Sequence, residues 1–372
     1  MKRILVSEET GKGLAVLKDD HESGAQALAV KALEKLLGFV RGDEMAKLTD
    51  PEEFWRELRW RAWHLAKNGR PSMGAAIESE VFKALAAARS DWREAGSLSS
   101  NTIRLKTMKS IIDSTIEARI AARQNSLQTL AVNFVSFVEN NWPFDDNGQR
   151  SSSSAHIVTL SSSGTITQCL TRLIESSARR VKHIKLTVLE SRPNFEGVSF
   201  VNKLLDSCSK DPNTLARLKI EIVSDASVAA VVENADYIVI GSDKILQDGD
   251  VSNKIGSLPA VVMAKTLNAN CKVLAVFETN KILHSDFNSG HPKTEYNDPA
   301  EVTKAWPTNL LRDLREKQSQ GFHLEVKNAY FEWVPARYID RYISEEGALE
   351  VGDIAKLSVD SFNLEKGLFS DL

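Results

Sequence analysis

Apolar residues recur at three- and four-residue spacing from about Asp20 to Glu139, and charged residues fill the positions between them. The runs GAQALAVKALEKLLGFV and EEFWRELRWRAWHLAKN predict two amphipathic helices, with Ser23 as a candidate N-cap for the first. A third helix is predicted over Met73 to Ala88. A fourth, long one runs from Thr102 to Asn140 with Ile103, Leu105, Met108, Ile111, Ile112, Ile116 and Ile120 along one stripe, and Trp142-Pro143 stops it. After the polar segment PFDDNGQRSSSS the period changes. Short β-branched runs, HIVTL, IKLTVLE, LKIEIVSD, YIVIGSD and KVLAVFE, alternate with helical stretches, which predicts a parallel sheet covered on both faces. The expected architecture is α/β: a helical domain over 1–145, followed by a Rossmann-like parallel-sheet domain over 155–372.

Composition narrows the function classes. The 372 residues are 42% hydrophobic and 26% charged, an ordinary globular balance for a chain of about two domains. With 47 basic against 50 acidic residues, the net charge of −3 gives no general attraction to nucleic acid or to an anionic membrane, so neither is an expected partner. No run approaches the roughly 20 apolar residues of a membrane span, and MKRILVSEETGKG lacks the apolar stretch of a secretory signal, so a cytoplasmic protein is expected. Cys169, Cys208 and Cys271 are too few and too widely spaced for a disulfide framework or a zinc site. No metal and no cofactor are expected.

In parallel sheets, ligands bind beyond the carboxyl ends of the strands. The first strand ends in TLSSSGTITQ, where small hydroxyl residues and a glycine precede a helix, a turn that suits a phosphate and equally suits a simple N-cap. GxGxxG, GxxxxGK[ST] and GxSxG are all missing, which argues against dinucleotide binding, a P-loop and a serine hydrolase. Asp243 follows another apolar strand, where a carboxylate is costly unless it is paired or faces a cleft. Asn253 and Lys254 lie ten residues on. Trp55, Trp60, Trp63 and His64 read as packing residues.

GSDKILQDGDVSNKIGS, LESRPNFEG, NAYFEWVPARYIDRYISEEG and GRPSMGAAI together resemble motifs of one family. It comprises the methylthioribose-1-phosphate isomerases, the ribose-1,5-bisphosphate isomerases and the alpha, beta and delta regulatory subunits of translation initiation factor 2B. The resemblance implies a sugar-phosphate pocket, with a nucleoside monophosphate as the other ligand class. It also implies a homodimer or higher homo-oligomer and association with factor 2B subunits. By position, Arg70, Met73 and Gly74 would hold phosphate from the helical side. Ser161, Ser162 and Ser163 would form the pocket floor, with Arg192 nearby. Asn253 and Lys254 would bind the sugar or its phosphate, and Asp243 would be the acid/base carboxylate. The chain departs from the isomerases at Thr159-Leu160-Ser161-Ser162, where they carry T-H-C-N, and Glu196 stands for the family glutamine. A thiol suits proton relay near neutral pH far better than an alcohol. The expected function is therefore a sugar-phosphate-binding sensor or regulator without efficient isomerase activity; the alternative is an aldose-1-phosphate isomerase using Asp243 and Ser161.

Overall fold

Asp50 accepts hydrogen bonds from the amides of Glu52 (3.0 Å) and Glu53 (2.9 Å), with Pro51 at the first helical position, and so opens a helix over Pro51–Asn68. This is α4 in a series that begins with α1 (Glu8–Lys18), α2 (Ala25–Arg41) and α3 (Asp43–Ala46). It continues with α5 (Gly74–Glu94) and the 40-residue α6 (Asn101–Asn140). The structure, a computed structural model, describes residues 7–20, 25–69, 74–95, 101–141, 154–176, 183–208, 215–283, 291 and 294–372. The candidate cap Ser23, the stop at Trp142-Pro143 and the polar segment as far as Ser153 lie outside the described residues.

The chain forms two compact units. One comprises Met1–Leu127, Thr279–Phe287 and Ala355–Leu372; the other comprises Gln128–Glu278 and Asn288–Ile354. In the helical unit the predicted stripes do bury: Leu28, Leu33, Leu36, Phe54, Leu58, Leu65, Ile77, Val81, Met108, Ile112 and Ile116 share one core with Leu368 and Phe369 of the last helix. Each such side chain withdrawn from water contributes roughly 1.5–3 kcal/mol. Trp55 and Trp60 are buried, and the Trp60 and Trp63 rings stack at 6.1 Å, so these aromatics pack as expected. Helix α1 was not legible in the pattern. Its run EETGKGLAVLK holds two glycines, and Ser7 caps it by accepting from the Thr10 amide at 3.3 Å while Leu14 and Leu17 join the core.

The second unit holds a mostly parallel seven-stranded sheet in the order β10-β9-β7-β4-β1-β2-β3. The strands are β1 (Ser154–Leu160), β2 (His183–Leu189), β3 (Leu218–Val223), β4 (Tyr237–Ile240), β7 (Lys272–Val276), β9 (Arg341–Ser344) and β10 (Gly347–Leu349). All neighbours are parallel except β10 against β9. A second, small antiparallel sheet consists of β5 (Lys244–Ile245), β6 (Val251–Lys254) and β8 (Phe331–Val334), with β6 paired to both of the others. The helices of this unit include α7 (Gly164–Glu175), α8 (Glu196–Cys208), α9 (Val228–Val232), α10 (Ser257–Leu267), α11 (Pro299–Thr303) and α12 (Thr308–Ser319); α13 (Val351–Phe369) begins here and continues into the helical unit. The end of α6 supplies Leu130, Phe134 and Val138 to the core beneath β1, β2 and β4. No described helix is long and apolar enough to cross a membrane.

Candidate functional site

From β1 the chain goes to β2 on one side, while β4 and β7 are laid down on the other. At such a switch the two sets of connections diverge and leave a crevice at the carboxyl ends of the two central strands. The switch here falls between Ser161–Gly164, after β1, and Gly241–Asp243, after β4.

The turn after β1 is held by its neighbours. Ser161 and Ser191 both adopt left-handed backbone conformations, φ 65° and 61°, which cost a residue with a Cβ of order 1 kcal/mol or more each. The compensation is a chain of hydrogen bonds. The Ser161 amide donates to Ser191 Oγ at 2.7 Å, and that hydroxyl donates to the Leu189 carbonyl at 3.1 Å. Asp225, after β3, accepts from the amides of Ser191 (2.9 Å) and Arg192 (2.8 Å), so three strand ends are tied together. Ser163 then caps α7 through the Ile166 amide at 3.3 Å, and Lys203 Nζ lies 3.2 Å from Ser162 Oγ. A methyl group on Gly241 would stand 3.4 Å from Asn253 Oδ1 and 3.6 Å from Ser163 Oγ, so this glycine is where the ends of β1 and β4 meet the end of β6.

The β6 end is built with equal care. The Asp243 amide donates to the Ser252 carbonyl at 2.8 Å, which ties the residue just before β5 to β6. Asn253 is buried and donates to Ser257 Oγ at 2.8 Å, and Ser257 donates to the Lys254 carbonyl at 2.7 Å. Gly256 takes φ 101°, a conformation open to glycine, and turns the chain into α10. Glu332 of β8 accepts from the amides of Gly256 (2.6 Å) and Leu258 (2.9 Å), satisfying the start of that helix. Burial pushes the Glu332 carboxyl above its ordinary value, against the pull of those amides. The folded chain therefore binds this proton more readily than the unfolded one. Glu332's contribution to stability is best in acid and is lost as pH rises from the usual carboxylate range through the raised value. Glu332→Gln keeps a carbonyl acceptor and removes the titration, so its stability relative to wild type should grow with rising pH and then level off. Urea unfolding between pH 4 and 7 measures this, and a difference independent of pH would contradict it.

Lys254 is 3% exposed at its side chain, and its ammonium sits 2.8 Å from Glu196 Oε2 and 3.0 Å from Oε1. It also lies 3.5 Å from the centroid of the Tyr330 ring, and the Tyr330 hydroxyl donates to Glu196 Oε1 at 3.0 Å. Burial, followed by the nearby carboxylates of Glu196, Glu301 and Asp243, raises the Tyr330 phenol well above its ordinary range, so it stays a hydrogen-bond donor. Asp243 is thus within electrostatic reach of the Lys254 cluster. Arg192 is half exposed, 3.5 Å from Glu190 Oε1, with its guanidinium 4.9 Å from the Phe195 ring. Gly74 opens α5 in the helical unit, and Arg70 and Met73 lie outside the described residues. Tyr330 and Glu332 were missed by sequence reasoning, because each stands in a short apolar run whose pattern speaks only of a strand. Among the described residues no group of three or more potential ligands could hold a metal.

Residues 21–351 match the initiation factor 2 subunit family. The chain belongs to that family. It is 27% identical over 175 residues, 47% of its length, to a ribose 1,5-bisphosphate isomerase of Haloterrigena turkmenica, of which 49% is covered. It is 27% identical over 186 residues, 50% of its length, to a methylthioribose-1-phosphate isomerase of Syntrophotalea carbinolica, of which 48% is covered. The chain thus spans about half the length of these curated relatives. Among solved structures, eIF2B beta from Chaetomium thermophilum superposes with a TM-score of 0.60 at 13% identity, over 95% of this chain and 91% of that one. The 5-methylthioribose 1-phosphate isomerase from Pyrococcus horikoshii gives 0.58 at 20% identity, over 95% and 88%. At these identities the likeness establishes the shared fold.

Proposed function

We propose that the chain binds a sugar phosphate, or the sugar-phosphate part of a nucleoside monophosphate, at the β1/β4 switch point and acts as a cytoplasmic metabolite sensor or regulator without efficient isomerase chemistry. The observation that carries this reading is Ser161. An aldose-to-ketose conversion needs two groups to relay protons, and Asp243 offers one. The turn after β1 offers a serine, whose hydroxyl is too weak an acid for the second role near neutral pH. The three cysteines are buried in other parts of the chain, and burial pushes each thiol up, that of Cys271 to about 12. Arg70, Met73, Gly74, Ser162, Ser163, Arg192, Asn253 and Lys254 are the proposed ligand contacts, and 1–145 and 155–372 the proposed domains.

Thermal unfolding tests the binding. Saturating ribose 5-phosphate should raise the melting temperature by mass action, an effect of about 2.7 kcal/mol at a hundred times the dissociation constant. Lys254→Ala should reduce the shift. Identical curves with the phosphosugar, ribose and buffer would refute the site. The isomerase reading is favoured by Asp243 at the end of β4 and by the activities named for the curated relatives. Turnover of ribose 1,5-bisphosphate followed by NMR separates the two readings.

We also propose a homodimer, with factor 2B subunits as the other partners. The basis is the resemblance of residues 328–347 to a segment that helps build the family's two-fold interface. Light scattering at micromolar concentration should give at least twice the mass of one chain. The mass of a single chain would overturn the proposal.

A further inference from the structure

Among the described residues, the most deeply buried cation of the candidate site already has an anion. Both oxygens of Glu196 lie within 3.0 Å of the Lys254 ammonium. The carboxylate opens α8, where the helix dipole favours negative charge, and the Tyr330 hydroxyl fixes one of its oxygens. This pair brings no net charge to the crevice. A phosphoryl group approaching Lys254 meets a carboxylate held in place by three interactions, and must displace it or accept its repulsion. A sugar hydroxyl meets no such cost, because a carboxylate has about four acceptor positions and the hydrogen bonds from Lys254 and Tyr330 use two of them, both on Oε1.

On the sugar-phosphate reading above, we infer that Glu196 is a specificity-determining residue: its carboxylate occupies the place on Lys254 that a second phosphoryl group would need. The site then takes sugar monophosphates, reads hydroxyls at the Lys254 end, and gains nothing from a bisphosphate. Removing the carboxylate frees the ammonium. Unit charges a few ångströms apart near a protein surface interact strongly enough to change a dissociation constant tenfold or more.

Calorimetric titration of the full chain with ribose 5-phosphate and ribose 1,5-bisphosphate tests this. For wild type the two dissociation constants should agree within about twofold. Glu196→Gln should bind the bisphosphate about tenfold tighter than wild type does, with little change for the monophosphate, and adding Lys254→Gln should abolish the gain. A wild-type preference for the bisphosphate of about tenfold or more, or a Glu196→Gln variant with the wild-type ratio, would overturn the inference while leaving sugar-phosphate binding intact. If neither ligand binds wild type or variant, the binding reading falls, and the inference with it. Should Glu196→Gln fail to fold, the wild-type ratio alone decides.

Discussion

Replacing Ser161 by cysteine is expected to give the protein a measurable turnover of ribose 1,5-bisphosphate where wild type has little or none. The swap changes one atom, in a turn whose left-handed backbone is held by the Ser191 hydroxyl through the Ser161 amide and not through the side chain, so folding should survive. The thiol supplies an acid whose ordinary pKa near 8.5 suits proton relay, and Asp243 is its proposed partner. A proton-transfer group contributes typically about 10²–10⁴-fold, a gain that stands clear of background. Asp243→Asn in the same variant should remove it. Wild type turning over at roughly 1 s⁻¹ or more would defeat the expectation, because Ser161 would then be competent by itself and the isomerase reading would take first place.

The parts of the fold that were legible are those in which one element's own period carries the information. Helices α2, α4, α5 and α6 and strands β1, β2, β3, β4 and β7 repeat every 3.6 or two residues or form unbroken apolar runs, and each lies within a few residues of its expected place, except that α5 runs on to Glu94 past its expected end at Ala88. The illegible parts draw their stability from distant partners. Strand β6 reads Val-Ser-Asn-Lys, four buried residues of which three are polar, and nothing local marks it as a strand. It pairs with β8, some eighty residues away in the chain, and Asn253 and Lys254 become tolerable inside only because Ser257, Glu196 and Tyr330 satisfy them.

The same division runs through the site. The sequence points to polar residues at strand ends, and the sheet order explains why two of those ends matter: Ser161–Ser163 and Gly241–Asp243 flank the one place where the chain reverses direction across the sheet. What composition and spacing do not disclose is pairing. Lys254 in isolation reads as a free cation for phosphate. Its neutralisation by Glu196, 58 residues earlier, appears only once α8 has been set against the end of β2.

That placement depends on one glycine, and Gly197→Ala is expected to be strongly destabilising. A Cβ at this position would lie 2.0 Å from the Leu189 carbonyl oxygen and 3.1 Å from Val188 Cγ1, and the first contact is with backbone that no rotamer change can move. The first turn of α8 must retreat from β2, which also breaks the 3.1 Å hydrogen bond from the Gly197 amide to the Glu190 carbonyl. We expect a loss of roughly 3 kcal/mol or more, the upper range for overpacking, read as a fall in the urea midpoint of the sheet-bearing unit. Because Glu196 is the preceding residue, the same retreat should withdraw its carboxylate from Lys254 and let a bisphosphate bind more tightly than a monophosphate in whatever fraction remains folded. Gly164→Ala is the control: it changes the first residue of α7, where an added Cβ meets nothing within 4 Å, and should alter stability by less than about 1 kcal/mol. Equal midpoints for the two variants would mean that α8 does not rest on β2 through Gly197, and the account of how Glu196 is positioned would fail with it.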